Sequence, residues 1–389
     1  MIENPVEPRI SYYLHTKGAS LGLPVSGTFE LTPRCNLSCK MCYVRLDETE
    51  MRSRGRELTA DEWLTVAKDA ADEGMLFLLL TGGEPMMRRD FTEILAGAKK
   101  LGLLVSVNSN GTMLSGDILR FFEKEPPFRV NVTLYGASEE TYVRLCGKPM
   151  FGKVLENIRR LKALGVGVKI NVSVTPYNKD DIKRIYEISE ELEVPVQMAT
   201  YMFPPIRRDE HMAGMNDRFT PCEAAACSIE WDKLRFDGEK FRLRAHAMSS
   251  GAGVGELKDG CVGENDDGTK YEGDGIMCRA GKSSFWINWM GEMTPCGMMN
   301  SPSVSVLDSG FSDAWRRTRE ESAKIRLPYE CSVCPSKKVC GVCAAMCVCE
   351  SGKYDIRPDY VCKMTAEQMR LYKKISEEIK FTKEEETDK

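Results

Sequence analysis

Several features that would place the protein in a specialised class are absent from its sequence. No run of Lys or Arg is long enough to suggest binding to a nucleic-acid backbone, and the formal net charge is −4. The longest apolar run, residues 75–80, is far shorter than the ~20 residues that cross a bilayer. Residues 1–8 lack a basic segment followed by an apolar one, so we expect no secretory signal. These absences favour a cytoplasmic protein that binds neither nucleic acid nor membrane.

The composition is that of a globular protein with an unusual number of thiols. Of its 389 residues, 42% are hydrophobic and 29% are charged, which suffices for a full α/β domain and a smaller second one. The 16 Cys residues would suggest disulfides in a small secreted domain. In a large chain without a secretory signal we expect reduced thiols instead. Binding of metals or clusters is then the leading explanation for their number.

Strand-like and helix-like segments alternate between residues 26 and 200. The predicted strands cover residues 27–32, 75–80, 103–108, 129–134, 166–174 and 194–200. The predicted helices cover residues 60–73, 90–101, 117–123, 138–145, 151–164 and 179–192. Alternation of this kind implies a parallel sheet, with active residues on the loops at the carboxyl ends of the strands.

The segments outside this region differ in composition, and we divide the chain into five parts. These are a lead-in (1–25), the alternating α/β region (26–200), a Gly-, Asp- and Met-rich connector or substrate-facing insert (201–275), a Cys-rich domain (276–364) and a helical tail (365–389). The tail is predicted to begin at Thr365, because Thr365 and Gln368 have the spacing of a capping box.

A cluster of three thiols follows the first predicted strand. Cys35, Cys39 and Cys42 lie within eight residues, a spacing that fits no single face of a helix or strand but can wrap around an inorganic centre. Three thiolates without a fourth Cys nearby suit a 4Fe–4S cluster with one open iron. Zinc, which prefers four ligands, and three unrelated buried thiols are the competing interpretations.

The motif CxxxCxxC, followed by the aromatic Tyr43, resembles the radical S-adenosylmethionine (SAM) superfamily, and the resemblance covers most of the chain. It implies an α/β fold with a partial (β/α)6 TIM-like barrel. It also implies a 4Fe–4S cluster whose open iron binds the amino and carboxylate groups of S-adenosylmethionine. One electron from that cluster cleaves the cofactor to a 5′-deoxyadenosyl radical. A flavodoxin- or ferredoxin-type protein is the electron donor that this implies.

Further residues are candidates for binding the cofactor. Gly82-Gly83-Glu84-Pro85 follows the second strand, where two glycines permit close approach to a ligand and the carboxylate can accept hydrogen bonds from an ammonium. This turn resembles the family's motif for the methionine amino group. The resemblance adds four polar residues at or near strand ends, which are Asn108, Ser109, Thr133 and Asn171.

Arg144 falls where relatives place an Arg for the cofactor carboxylate, which a planar guanidinium binds with two hydrogen bonds. Turn formation and solvent exposure are the ordinary alternatives for Arg144 and for the polar residues at strand ends. Many relatives carry Asp where this chain has Tyr135, and Cys146 is also unexpected for the family.

A second group of cysteines lies near the carboxyl end of the sequence. The spacing Cys331-x2-Cys334-x5-Cys340-x2-Cys343 resembles the SPASM domain, a small Cys-rich iron–sulfur extension that holds two auxiliary 4Fe–4S clusters. The resemblance implies an outer cluster on Cys331, Cys334, Cys340 and Cys362 and an inner cluster on Cys278, Cys296 and Cys343.

Two questions about these ligands stay open at the level of the sequence. Cys347 could replace Cys343, because the family usually has three residues rather than two after the Cys340 position. The fourth ligand of the inner cluster could be Cys261, Cys347, Cys222, Cys227 or the substrate itself. A zinc ribbon is the alternative for residues 331–343.

We predict a radical SAM enzyme that modifies a residue in a peptide or protein by cross-linking, oxidation or epimerisation. Oxidation of a small molecule, such as a tetrapyrrole or a redox-cofactor precursor, is the alternative. A metal-binding scaffold without activity is a third interpretation. The branch that matures sulfatases uses an Asp directly after the Cys296 position, where this chain has Gly297. The sequence identifies no catalytic acid or base.

Overall fold

The computed structural model describes residues 10–249 and 273–387, and in these residues nine strands form one sheet. In chain order the strands are β1 (Ser26–Glu30), β2 (Phe77–Thr81), β3 (Leu104–Ser109), β4 (Arg129–Thr133), β5 (Val168–Ser173), β6 (Val196–Ala199), β7 (Ser284–Ile287), β8 (Glu292–Thr294) and β9 (Val304–Ser305). Across the sheet their order is β6-β5-β4-β3-β2-β1-β7-β8-β9. The pairs from β6 to β7 are parallel, and the last two pairs are antiparallel.

Helices connect the parallel strands and extend into the Cys-rich region. In chain order they are α1 (Ile10–Leu21), α2 (Glu48–Arg54), α3 (Ala60–Asp72), α4 (Phe91–Lys100), α5 (Gly116–Lys124), α6 (Glu139–Cys146), α7 (Phe151–Ala163), α8 (Ile182–Glu191), α9 (Pro221–Arg235), α10 (Gly238–Ser249), α11 (Val306–Lys324), α12 (Tyr329–Ser332), α13 (Ala344–Ser351) and α14 (Asp359–Thr387). The predicted α/β class, with a partial barrel followed by a smaller Cys-rich region, is confirmed. In the described part of the chain, no helix is long and apolar enough to cross a membrane.

The core lies between the sheet and the connecting helices. Phe29 of β1 and Trp63 of α3 are both fully buried, and their rings stack with centroids 4.8 Å apart. Thr59 closes a capping box with Glu62 at the start of α3, as the sequence predicts. The cap fixes where α3 begins, and the aromatic contact fixes how that helix lies on β1. Both hold the strand that leads into the three-cysteine loop.

The predicted connector contains regular structure that the sequence reading did not anticipate. Helices α9 and α10 occupy residues 221–249 and pack against α14. Apolar residues are not confined to one stripe of α9, and its buried Asp232 accepts a hydrogen bond from Tyr372 of α14 at 2.5 Å. Thr220, with Glu223, forms a capping box that could have revealed this helix.

Two further helix boundaries differ from the predictions. The charged loop after the cysteines contains α2, which begins with a capping box between Asp47 and Glu50. The tail helix does not begin at Thr365, because α14 already starts at Asp359. Thr365 is buried inside α14, and its hydroxyl donates to the Cys340 sulfur at 3.5 Å instead of capping the helix.

A buried ion pair joins the Cys-rich region to the barrel. The guanidinium of Arg218 donates to both carboxylate oxygens of Glu350 in α13, at 2.6 and 2.8 Å. Tyr201, just after β6, donates to the same carboxylate at 2.5 Å. The two charged side chains are only 6% and 8% exposed. Loss of either charge would therefore leave the other one unpaired in the interior.

We expect Glu350→Gln to lower the free energy of unfolding by about 3–5 kcal/mol, because it leaves the buried Arg218 without its counter-charge. Denaturant unfolding under anaerobic conditions measures this. The control is Glu191→Gln, which removes an exposed partner of Arg184 and should change stability by less than about 1 kcal/mol. Equal effects of the two substitutions would show that the buried pair does not stabilise the junction.

Candidate active site

The three-cysteine loop leaves the carboxyl end of β1 and carries hydrogen-bond donors directed at its sulfur atoms. The Leu37 N–H donates to Cys35 Sγ at 3.4 Å, and the Arg45 N–H donates to Cys42 Sγ at 3.2 Å. Burial, together with the neighbouring Glu84, Cys39 and Cys42, raises the pKa of Cys35 to about 12 in spite of the Leu37 hydrogen bond. These three thiols therefore lie close enough to repel one another as thiolates. A positively charged centre among them would allow all three to ionise.

Cys39 has a different environment from the other two thiols. Hydrogen bonds from the Cys146 thiol and from Tyr135 lower its pKa in spite of burial. Cys146 is fully buried at the end of α6. The two residues that depart from the family pattern in the sequence are thus neighbours of one predicted cluster ligand.

The Gly82-Gly83 turn follows β2 and packs directly on the residues that precede the cysteines. The Gly83 N–H donates to Thr32 O at 2.7 Å, and the Glu84 N–H donates to Arg34 O at 2.8 Å. A Cβ on Gly82 would lie 2.5 Å from Thr32 O, and one on Gly83 would lie 2.3 Å from Arg34 O. Side chains do not fit at these distances. The glycines therefore permit close approach of two backbone segments of the chain, whereas the sequence predicts that they permit close approach to a ligand.

Glu84 is fully buried beneath this turn, and donors of the chain itself form hydrogen bonds to its carboxylate. Ser109 Oγ donates to both oxygens at 3.0 and 3.1 Å, the Asn110 N–H donates at 2.8 Å and the Met86 N–H donates at 3.3 Å. Burial raises the pKa of Glu84 to about 7 despite these donors. Pro85 is the first residue of a short 3-10 turn after Glu84.

Asn110 connects the Glu84 site to the cysteine loop, and the sequence reading did not select it as a site residue. Its side-chain N–H groups reach Cys35 Sγ at 3.6 Å and Asn36 Oδ1 at 2.9 Å. Its Oδ1 accepts a hydrogen bond from Thr112 Oγ1 at 2.6 Å. Its place in the Asn-Ser-Asn-Gly segment after β3 was the signal that could have found it.

The other predicted cofactor residues are distributed along the same edge of the sheet. Thr133 ends β4 and lies opposite Asn171 of β5 in the parallel register. Asn108 accepts a hydrogen bond from Asn131 at 2.8 Å. Arg144 is exposed and donates to the carbonyl oxygen of Tyr177. Among the predicted cofactor residues, all of which the structure describes, only Glu84 and Ser109 are joined to each other by a side-chain hydrogen bond.

The C-terminal cysteines separate into two groups. Burial, together with the nearby thiols Cys362, Cys340 and Cys334, raises the pKa of Cys331 to about 12. Burial likewise raises the pKa of Cys296, with Cys343 and Cys278 adding to the effect. The groups match the outer and inner ligand sets that the resemblance implies, although their roles as ligands stay predictions.

The two remaining thiols of α13 lie near the predicted ligand sets. Burial raises the pKa of Cys347, and nearby thiols of both sets add to the effect: Cys331, Cys362 and Cys340 of the outer set and Cys343 of the inner set. The Cys349 thiol lies near Cys296 and Cys343, but it donates to Met298 O at 3.3 Å. Of the thiols considered as a fourth ligand, Cys261 lies outside the described residues. Cys222 is exposed in α9, and Cys227 is partly buried in the same helix.

The inner thiols line a half-open cavity. It has a volume of about 310 Å³ and is lined by Cys278, Cys296, Cys343 and Cys340 together with apolar side chains. Thiolates are the usual ligands of 4Fe–4S clusters, in which each thiolate binds a different iron. The donor chemistry of this lining is therefore compatible with an iron–sulfur cluster, and zinc stays the alternative.

A second cavity, of about 340 Å³, lies between the three-cysteine loop and the inner thiols. Tyr43, next to Cys42, lines one side, and Met299, which also lines the inner cavity, lines another. A buried ion pair borders the space, in which Arg207 contacts Glu30 at 2.7 Å. Arg207 also donates to Gly297 O at 3.0 Å, beside Cys296. This half-open cavity therefore lies between the two predicted iron–sulfur regions.

Comparison with known proteins agrees with these features. Residues 29–188 match the Radical SAM superfamily. Over 343 residues the chain is 27% identical to the AdoMet-dependent heme synthase of Methanosarcina barkeri, covering 84% of this chain and 93% of that protein. It is 24% identical to the protein of the same name from Nitratidesulfovibrio vulgaris, covering 84% and 89%. A probable GTP 3′,8-cyclase of Saccharolobus islandicus is 35% identical, but over only 42% of this chain and 52% of that protein.

Solved structures share the fold at low sequence identity. Streptococcus suis SuiB bound to its precursor peptide SuiA is 15% identical to this chain, with a TM-score of 0.63. The match covers 93% of this chain and 84% of that one. Native anSMEcpe with bound AdoMet is 16% identical, with a TM-score of 0.63 and coverage of 90% and 97%. The strand order, the three-cysteine loop and the match over residues 29–188 agree: this part of the chain is similar to the Radical SAM superfamily, and the fold of the described chain resembles those of SuiB and anSMEcpe.

Proposed function

We propose that this radical SAM enzyme oxidises a side chain of a small molecule of the tetrapyrrole or redox-cofactor-precursor kind. The observation that carries the proposal is the extent of the likeness to the heme synthases, which takes in 84% of the chain. A likeness of that length extends well beyond residues 29–188 and therefore includes part of the chain outside the radical SAM region. The cyclase match, over 166 residues, gives no comparable support.

In this proposal Cys35, Cys39 and Cys42 hold the cluster that binds S-adenosylmethionine. When bound, the cluster and the cofactor supply one electron and a 5′-deoxyadenosyl radical that removes a hydrogen atom from the substrate. Glu84 accepts from three donors of its own chain, of which the Ser109 hydroxyl lies within reach of both carboxylate oxygens. A carboxylate has about four positions for accepting hydrogen bonds. Because Ser109 has a single hydroxyl hydrogen, it can give up one of its two contacts and leave a position for the cofactor's ammonium. Ser109 and Asn110 orient the carboxylate for that contact.

The 340 Å³ cavity is the proposed place for the reacting part of the substrate. It lies between Tyr43 of the cluster loop and the loop that carries Cys296. Glu30 and Arg207 neutralise each other at its wall. The lining also contains the uncharged amides of Asn288 and Asn300 and four further charged residues, Arg54, Arg208, Glu210 and Glu292. Such a lining suits a substrate with both polar substituents and an apolar framework.

Modification of a peptide is the second candidate, and the fold likeness to SuiB with its precursor peptide is the observation that favours it. The sulfatase-maturing variant of that activity is disfavoured by the structure around Gly297. A Cβ at Gly297 would lie 2.6 Å from the Trp286 ring, so the Asp of that branch has no room here. Peptide substrates of other kinds remain compatible with the cavity.

The proposed chemistry also implies auxiliary clusters, an electron donor and a cellular compartment. We propose that the outer and inner thiol sets hold two auxiliary 4Fe–4S clusters. We also propose that a flavodoxin- or ferredoxin-type protein delivers the electrons. Thiolate-bound clusters require a reducing compartment, so we place the enzyme in the cytoplasm.

We expect the anaerobically reconstituted protein, with a low-potential reductant, to cleave S-adenosylmethionine to 5′-deoxyadenosine and to oxidise an iron porphyrin that bears carboxylate side chains. Chromatography and mass spectrometry measure both products. A Cys35/Cys39/Cys42→Ala variant should form neither, because it lacks the ligands of the first cluster.

The Cys222→Ala variant is the matched control, since Cys222 is an exposed thiol outside both C-terminal sets, and it should retain activity. Cleavage of the cofactor without any change in the porphyrin, together with modification of a peptide, would replace the small-molecule proposal by the peptide one. Retained cleavage in the triple variant would refute the placement of the first cluster.

Glu84→Gln should remove a pH dependence of stability. Burial raises the folded-state pKa of Glu84 from 4.5 to about 7, so the folded state binds the extra proton between these values. As the pH rises from about 4.5 to about 7, the free energy of unfolding of the wild type should therefore fall by on the order of 3 kcal/mol relative to that of the Gln variant. Urea unfolding at several pH values measures this.

S-adenosylmethionine should restore the stability of the wild type near pH 7 more than that of the Gln variant, because its ammonium favours the ionised carboxylate. The control is Glu123→Gln, at an exposed position of α5, which should leave the pH dependence unchanged. If the wild type and Glu84→Gln show parallel pH curves, the buried carboxyl does not have the raised pKa.

We expect the reconstituted chain to hold three clusters, or about twelve irons, of which about eight remain in the Cys35/Cys39/Cys42→Ala variant. The reason is that the C-terminal thiols form two sets separate from the first loop. Iron and zinc analysis with Mössbauer spectra measures the content. About four irons in the variant would indicate a single auxiliary cluster, and one zinc per chain would indicate a zinc ribbon.

A further inference from the structure

Three arginines line the 340 Å³ cavity, and two of them direct their donors at groups of the chain itself. The guanidinium of Arg207 donates to both carboxylate oxygens of Glu30, at 2.7 and 3.1 Å, and to Gly297 O at 3.0 Å. Arg54 donates to the carbonyl oxygens of Arg207 and Arg208, at 3.2 and 2.6 Å. These two side chains therefore stabilise the wall of the cavity.

Arg208, the third arginine, uses few of its five N–H donors within the chain. It is half-buried, and its Nη1 donates to Cys42 O at 3.2 Å. Its Nε is buried without a hydrogen-bond partner, and within residues 10–249 and 273–387 no carboxylate oxygen lies within 4.0 Å of its guanidinium nitrogens. A charged group in such a place is left without the partners that burial normally requires. An anionic ligand in the cavity would supply them.

The backbone at Arg208 is fixed from three sides. Its N–H donates to Pro205 O at 2.9 Å, and its carbonyl oxygen accepts from Arg54 of α2 at 2.6 Å. The preceding residue, Arg207, is anchored by the buried Glu30. Arg208 is thus held beside the three-cysteine loop before any ligand binds, which lowers the entropic cost of binding one.

We propose that Arg208 binds a carboxylate of the substrate and thereby orients the substrate beside the three-cysteine loop. A planar guanidinium offers parallel N–H groups that match the two oxygens of a carboxylate. Glu210 and Glu292 line the same cavity, so a singly charged carboxylate suits it better than a doubly charged phosphate. The inference rests on the proposed function, which supplies a substrate that bears carboxylates.

The cofactor also carries a carboxylate, and it is the other possible source of this group. The amino and carboxylate groups of S-adenosylmethionine are attached to one carbon atom, so they lie close together. The proposed contact for the amino group is Glu84, which Asn110 connects to Cys35. Arg208 instead contacts Cys42, at the other end of the loop, and lines the cavity proposed for the substrate. This placement favours the substrate's carboxylate over the cofactor's.

The test compares two ligands of the reconstituted enzyme under anaerobic conditions: an iron porphyrin with carboxylate side chains, and the same porphyrin with those carboxylates converted to uncharged amides. The change in porphyrin absorption on titration with protein gives each Kd. Arg208→Gln should raise the Kd of the acid about ten- to hundredfold, because a charge-assisted pair is lost. It should change the Kd of the amide less than about twofold, since the amide has no charge for Arg208 to bind.

Two further variants complete the design. Arg160→Gln, at an exposed position of α7, is the matched control and should leave both Kd values unchanged. Arg208→Lys keeps the charge but not the planar fork, so it should discriminate between acid and amide less than the wild type does. It decides the question if Arg208→Gln loses iron, and unchanged discrimination in Arg208→Lys would then overturn the proposal.

Other outcomes separate this inference from the proposed function. An unchanged Kd of the acid in Arg208→Gln, or equal weakening of acid and amide, would overturn the inference alone. A raised Kd for S-adenosylmethionine with unchanged porphyrin binding would also overturn it and assign Arg208 to the cofactor. Binding of the acid that depends on Arg208, without oxidation of the porphyrin, would support the inference and contradict the proposed function. No binding of the porphyrin by the wild type would overturn both.

Discussion

The close approach of two backbone segments at the carboxyl edge of the sheet is the constraint on which the site depends. Gly82 and Gly83 lie so near Thr32 and Arg34 that neither position has room for a Cβ. The resulting hydrogen bonds connect the turn after β2 to the start of the three-cysteine loop. They also bury Glu84 where the end of β3 can donate to it. A loop that carries three mutually repelling thiols is thereby fixed from two neighbouring strands before any cluster binds.

The buried carboxylate is stable only because its own chain surrounds it with donors. Ser109 and Asn110 come from the end of β3, so the position of Glu84 depends on the register between β2 and β3. Burial without a nearby cation raises the pKa of Glu84 to about 7. A cationic ligand would lower that pKa again. The turn therefore couples the protonation of one side chain to the occupancy of the proposed cofactor site.

Local signals in the sequence predicted most of the fold, and contacts between distant residues explain what was missed. The strands and the cap at Thr59 follow from alternation and short-range spacing. Helix α9 was missed because its buried side chains, among them Asp232, do not form one apolar stripe. The prediction that the tail helix begins at Thr365 was wrong because the Thr365 hydroxyl donates to the Cys340 sulfur instead of capping a helix. The cysteine sets were predictable from spacing and resemblance, whereas the contacts of Asn110 and Cys146 depend on the fold bringing strand ends together.

The residues around the cavity between the two predicted iron–sulfur regions bear on which substrates would fit there. Arg207, which lines the cavity, pairs with Glu30 and donates to Gly297 O, and Gly297 in turn packs against Trp286. Trp286 also donates to Glu30 at 3.1 Å. An acidic side chain at position 297 would displace the Trp286 indole. The buried Glu30 carboxylate would then lose one of its hydrogen-bond donors. The ring therefore leaves no room for an acidic side chain at position 297, and the two charges of the Glu30–Arg207 pair are already partnered. Recognition of a charged substituent in the cavity would then fall to the other charged residues of its lining, Arg54, Arg208, Glu210 and Glu292.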